Sequence, residues 1–152
     1  MLEFETKYFG KVPYAPGSVI EFPLGLPGFE NEHRFVLIEQ SINKPIVFLQ
    51  SLSQPELCFP TAPVSLLCPN YELTLSAEDL FALGCQEQPV AGQDTLLLAI
   101  VSLAPDGPAT ANLLSPVVIH WRTRLAVQAI QTDSPHSHQH PLLAPTPVAP
   151  CL

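Results

Sequence analysis

Hydrophobic and polar positions alternate in short runs along most of this chain, the pattern of half-buried β-strands. Near the start, Phe4, Thr6 and Tyr8 share one face while Glu5 and Lys7 share the other. A looser run, Ser18-Val19-Ile20-Glu21-Phe22, leads into Leu26-Pro27-Gly28-Phe29. Proline presets φ at the second position of that turn, and glycine accepts the positive φ that a type II turn needs at the third. Phe35-Val36-Leu37-Ile38 and Ile46-Val47-Phe48-Leu49 flank a polar stretch with Asn43-Lys44-Pro45 and are expected to be neighbouring strands. Leu57-Cys58-Phe59 is a further short strand that Pro60 and Pro63 punctuate, and Tyr71-Glu72-Leu73-Thr74-Leu75 alternates cleanly. Residues 95–103 are almost continuously apolar, as suits a strand buried on both faces. Residues 104–108 carry a turn signal, and strands are expected over 110–114, 117–121 and 125–130.

One helix interrupts this series, over residues 77–83. Ser76 is placed to cap it, Glu78 and Asp79 sit in its positive first turn, and Gly84 is placed to close it. Leu80 and Leu83 are expected to pack inward, with Phe81 on a wider apolar face. Eighteen prolines against seven glycines disfavour longer helices and favour short strands with stiff turns. The expected fold is mainly β: a single compact β-barrel-like domain over residues 1–133 with one short helix. After residue 133 the character changes. Residues 134–152 hold five prolines, three histidines and no acid, lysine or arginine, which predicts a flexible His/Pro-rich tail.

Composition narrows the function classes. At 152 residues the chain suits one core and needs no disulfide or metal staple. Fourteen acids against six Lys plus Arg leave a net charge of −8. That charge disfavours direct nucleic-acid binding, which gains most of its affinity by neutralising phosphates with basic side chains. It suits a basic protein partner, or simply keeps an apolar domain in solution. The N-terminus carries early acids and no apolar run of a signal peptide, and residues 96–103 are too short to span a membrane. A cytoplasmic protein is expected, with Cys58, Cys68, Cys85 and Cys151 as reduced thiols.

Candidate chemistry is sparse. The cysteines form no Cys-x-x-Cys pair, so no zinc site is expected. His136, His138 and His140 would project to one side of an extended tail, a weak metal-binding pattern or a plain polar tail. His120, next to Trp121 in an apolar strand, is expected to be a satisfied sheet histidine, and His33 a surface loop residue. No Gly-x-Ser-x-Gly elbow positions a serine, and Gly25-Leu26-Pro27-Gly28 lacks the spacing and lysine of a phosphate loop. No enzyme activity and no cofactor are expected.

The stretch Ile20-Glu21-Phe22-Pro23-Leu24-Gly25-Leu26-Pro27-Gly28-Phe29-Glu30 resembles a motif of the flagellar assembly factor FliW family. Phe48-Leu49-Gln50-Ser51, Pro55-Glu56-Leu57, Pro69-Asn70-Tyr71 and the run from Ala109 to Ile119 resemble that family in the same order. The His/Pro-rich tail and His120, where the family more often has asparagine, are departures. The resemblance implies a compact β-barrel-like fold and two alternating partners: flagellin before its export, and CsrA, a dimeric RNA-binding repressor that flagellin release frees FliW to antagonise. Candidate partner-binding residues are Pro27, Gly28 and Phe29, where a turn offers an exposed aromatic anchor unless Phe29 belongs to the core. Gln50, Ser51 and Gln54 could pair with a partner's edge or satisfy their own loop. Thr110, Asn112 and Pro116 look structural. Two other classes stay open: a small-molecule-binding β-barrel, marked by a deep apolar pocket, and a hydrolase, marked by a nucleophile against a base.

Overall fold

Short strands and tight turns dominate the computed structural model, which describes residues 1–89, 93–103, 107–132 and 134–142. Strands β1 (Leu2–Thr6) and β2 (Gly10–Tyr14) form an antiparallel hairpin. Tyr8 lies in its turn and not on a strand face; there Thr6 Oγ1 accepts from the Phe9 amide at 2.9 Å and donates to the Gly10 carbonyl at 2.8 Å. Phe9 packs on Phe48, ring centroids 5.0 Å apart, and so joins the hairpin to the main sheet.

The main sheet contains β3 (Ile20–Glu21), β4 (Arg34–Glu39), β5 (Val47–Ser51), β6 (Cys58–Pro63), β7 (Thr95–Ser102), β8 (Thr110–Ala111), β9 (Val117–His120), β10 (Ala126–Gln128) and β11 (His140–Pro141). Its spatial order is β10-β9-β7-β6-β5-β4-β3, with β8 pairing β7 and β11 pairing β8. The expected neighbours β4 and β5 pair antiparallel, Leu37 opposite Leu49. β6 continues through both prolines because each is paired on one side only, Pro60 opposite Phe48 of β5 and Pro63 opposite Leu98 of β7.

The two ends of this sheet approach each other. Glu21 bridges Leu125 in parallel fashion, the Glu21 amide donates to the Arg124 carbonyl at 2.9 Å, and Arg124 Nη2 donates to the Ser18 carbonyl at 3.0 Å. Arg124 holds a left-handed φ of 60°, which turns the chain from β9 into β10. One bridge is not a ladder, so the sheet curls without closing and is barrel-like only in a loose sense.

β7 is buried on both faces, as its apolar run predicts. Leu98 packs with Ile20, Phe22, Phe35, Leu49, Val117 and Ile119 inside the curl. Leu97, Ala99 and Val101 pack on the other face with Val64, Tyr71, Leu75 and Leu83. That second face is covered by α1 (Val64–Leu67), a single turn that the pattern did not foretell, and by α2 (Ala77–Leu83). α2 has the expected limits: Ser76 Oγ accepts from the Asp79 amide at 3.1 Å, and Gly84 closes the helix at φ 71°. Phe81, however, points to solvent.

Two regions depart from expectation. Residues 71–75 bury Tyr71 and Leu75 as the alternation requires, yet join no ladder. The Gln131 side chain instead pairs both backbone groups of Thr74, at 2.9 Å each, and the Gln88 side chain pairs those of Leu75 at 2.9 and 2.8 Å. Residues 134–142, expected within a flexible tail, lie on the body. His140 and Pro141 pair with Ala111 and Thr110, and the Leu113 amide donates to the Ser137 carbonyl at 3.0 Å. This strand covers the β8 edge, whose backbone groups would otherwise lack protein partners. Of the cysteines, Cys58 and Cys85 are free thiols, Cys68 is buried, and Cys151 lies outside the described residues.

Candidate functional site

The loop between β3 and β4 caps one end of the curled sheet and carries Pro27, Gly28 and Phe29. Two side chains anchor it from below: Phe22 and Leu26 are buried against Phe35 and the rest of the inner core. Its tip is a tight turn in which the Phe29 amide donates to the Leu26 carbonyl at 2.7 Å and the Leu26 amide donates back to Phe29 at 3.3 Å. Gly28 has φ 84°, the value a type II turn requires at that position. The Glu30 carboxylate accepts from the Gly28 amide at 2.8 Å.

Gly25 is the tighter constraint. It has φ 67°, and a Cβ there would meet the Glu30 carbonyl oxygen at 2.5 Å, so only glycine lets the two limbs of the loop cross. The result presents Pro27, Gly28 and Phe29 to solvent. Phe29 is 38% exposed, with its ring set edge-on to Phe59 at 5.4 Å. It therefore belongs wholly to neither alternative: half the ring rests on the body and half is available. Exposed Leu24 lies in the same loop.

Gln50, Ser51 and Gln54 take the second of their two alternatives and bond within their own loop. Gln50 and Ser51 are fully buried at the end of β5, so they cannot meet a partner's edge. Gln50 Nε2 donates to the carbonyls of Ser51, Pro55 and Gln54 at 3.0, 3.2 and 3.4 Å and thereby folds the β5–β6 turn. Ser51 Oγ accepts from the amides of Ser53 and Gln54 at 3.1 and 3.0 Å. The physical reason is local: the turn's amides need acceptors, and the nearest side chains supply them.

The centre of this network is Glu32, which the sequence did not single out. The residue is only 7% exposed, and its carboxylate accepts from Ser51 Oγ at 3.3 Å, from Ser53 Oγ and from Gln54 Nε2. The Ser53 hydroxyl chiefly holds this carboxyl below its ordinary range; burial opposes it, while Gln54, Ser51 and the charge of His33 reinforce it. Glu32 sits between Asn31 and His33 with no local mark distinguishing it from exposed Glu30; its partners lie about twenty residues away.

Elsewhere the candidate chemistry resolves into structure. His120 is buried in β9, its Nδ1 accepting from the Thr123 amide at 3.4 Å. Exposed His33 places Nδ1 2.8 Å from the Phe22 carbonyl. The three tail histidines do not form a row: His136 stacks on Tyr71 at 4.4 Å, His138 is exposed, and His140 lies in β11. Burial pushes the Tyr71 phenol up to about 12, and its hydroxyl donates to the Leu113 carbonyl at 2.5 Å. Among the described residues no group of three His, Cys, Asp or Glu side chains is placed to hold a metal ion. Two open clefts lie away from the loop. One, about 550 Å³, is lined by Asn70, Glu72, Thr74, Gln131, Ser134 and His136; the other, about 400 Å³, is lined by Leu37, Val47, Pro63, Leu98 and Trp121.

This architecture has relatives. The FliW protein family model matches residues 3–142 and so takes in the β11 segment. The chain is 33% identical over 146 residues to the flagellar assembly factor FliW of Syntrophomonas wolfei, covering 95% of this chain and 91% of that protein. It is 31% identical over 138 residues to that of Bacillus subtilis, covering 90% and 94%. A crystal structure of the flagellar assembly factor FliW superimposes with a TM-score of 0.80 at 32% identity, covering 94% of this chain and 98% of that one. A β3–β4 loop built on Gly25 and Leu26-Pro27-Gly28-Phe29, a curled antiparallel sheet and matches over nearly the whole length lead to one conclusion: this chain belongs to the FliW family of flagellar assembly factors.

Proposed function

We propose that this protein acts without catalysis in the cytoplasm, binding flagellin and alternately a CsrA-type RNA-binding repressor, and so couples flagellin synthesis to flagellar assembly. The resemblance implies both partners, and family membership supports the flagellar role. The observation that carries a docking surface is the half-exposed Phe29 on a turn whose base is buried. A rigid aromatic anchor loses little conformational freedom on binding and is the kind of side chain that dominates interfaces. Pro27 and Gly28 are the flanking contacts. Gln50, Ser51 and Gln54 act indirectly, by building the support beneath.

The net charge of −8 suits antagonism of an RNA-binding partner. An acidic body docked beside an RNA groove repels phosphates over a Debye length of about 8 Å at physiological salt, without entering the groove. No nucleic acid, cofactor or membrane is part of this reading. Among the described residues no helix is long and apolar enough to cross a membrane.

The test is capture of the host's flagellin and CsrA by the purified chain, repeated with Phe29→Ala. We expect both proteins to be retained, CsrA to displace flagellin or the reverse, and Phe29→Ala to weaken at least one complex about tenfold. Capture of neither partner refutes the function. Full-strength capture by Phe29→Ala removes the loop from the interface and leaves the function intact.

A further inference from the structure

A buried carboxylate is costly unless hydrogen-bond donors or an opposite charge compensate it. Glu32 is such a group, and its position lets it reach two loops. Its backbone amide donates to the Phe29 carbonyl at 3.0 Å, closing the base of the Leu26-Pro27-Gly28-Phe29 turn. Its side chain reaches the other way, to Ser51, Ser53 and Gln54 in the β5–β6 turn. One residue thus joins the exposed turn to a second loop that has its own internal bonds.

We propose that Glu32 is a positioning residue that holds the Leu26-Pro27-Gly28-Phe29 turn in its docking geometry by tying it to the β5–β6 turn. This rests on the reading of that turn as a partner-binding surface. A carboxylate suits the task because all three side-chain partners donate and both its oxygens accept; such charge-assisted bonds are stronger and more directional than neutral ones. The arrangement is also asymmetric. The turn's own bonds are local and in a short exposed loop open readily, whereas the Glu32 tether spans about twenty residues of sequence, fixes where the turn sits on the body and so keeps those bonds closed.

Three variants test this, with hydrogen exchange at the Gly25 and Phe29 amides read beside affinity for flagellin and CsrA. Glu32→Met keeps the volume and removes every acceptor. It should speed exchange at both amides about tenfold and weaken partner binding by a similar factor. Glu32→Gln retains an oxygen for Gln54, and its amide can donate to the Ser53 hydroxyl, so it should restore part of both; a residue that merely fills space would be served equally by Met and Gln. Ser53→Ala deletes one donor on an exposed residue and should show a smaller change in the same direction without disturbing buried packing. Unchanged exchange in Glu32→Met or in Ser53→Ala overturns the inference. Faster exchange with undiminished partner binding leaves the tether standing and overturns the docking reading instead.

Discussion

The β3–β4 loop and the C-terminal segment 134–142 both lie over the body without long strands of their own, yet they are held very differently. The loop buries Phe22 and Leu26, threads Gly25 past Glu30, and is tied sideways through Glu32. The C-terminal segment has a two-residue strand on β8, a bond from the Leu113 amide, one from the Leu142 amide to Ala109, and the His136 ring stacked on Tyr71. In the loop, buried apolar area and a buried charge act together, and each part fixes the next. In the C-terminal segment, backbone pairing at a sheet edge does most of the work. The first arrangement specifies a geometry; the second covers an edge. That contrast explains why a surface for recognition would be built on the loop.

Four experiments break or sharpen this contrast. The largest effect is expected for Gly25→Ala, which combines a left-handed φ with a Cβ 2.5 Å from a backbone oxygen. We expect a loss of about 3 kcal/mol in denaturant unfolding, with disrupted exchange protection at Phe29. Ending the chain after Thr132 should cost less, about 2 kcal/mol, from the uncovered β8 edge and lost apolar contacts. If the truncation proves more damaging than Gly25→Ala, the C-terminal segment is integral to the core and the comparison is reversed. Gly28→Ala separates conformation from crowding: its φ is 84° but a Cβ would meet nothing within 4 Å, so about 1 kcal/mol is expected. A loss equal to that of Gly25→Ala would show that steric crossing is not what fixes the loop.

The smallest effect is a pH dependence. The Glu32 carboxyl is depressed below its ordinary value of 4.5, first by the Ser53 hydroxyl, with Gln54, Ser51 and neighbouring His33 in support and burial opposing. A depressed folded-state pKa means that the folded state binds the proton less readily than the unfolded one. Its stabilisation is therefore fully present above 4.5 and is lost as pH falls through the lower, folded value. Tm should fall on acidification below that point, and Glu32→Gln should flatten this acid limb. Parallel acid limbs for both chains would mean that Glu32 is not a source of the dependence.

Which segments become strand, helix or tight turn was largely decided by the sequence alone. Apolar runs marked β4, β5 and β7 as strands and alternation marked residues 71–75, the capping residues gave α2 its limits, and Pro27-Gly28 fixed the turn, since each depends on neighbours a few residues away. The same alternation buried Tyr71 and Leu75 correctly but could not say what would pair their backbone. That fell to Gln131, 57 residues beyond Thr74, and to Gln88. Polarity left Gln50 and Ser51 open between a partner's edge and their own loop, and only the closed β5–β6 turn drew them in. Proline content suggested a loose C-terminus, and only an unpaired β8 edge gave residues 140–141 something to join. Periodicity encodes a face. Partnership depends on which distant groups the folded sheet leaves unsatisfied, and that exists only once the chain has closed on itself.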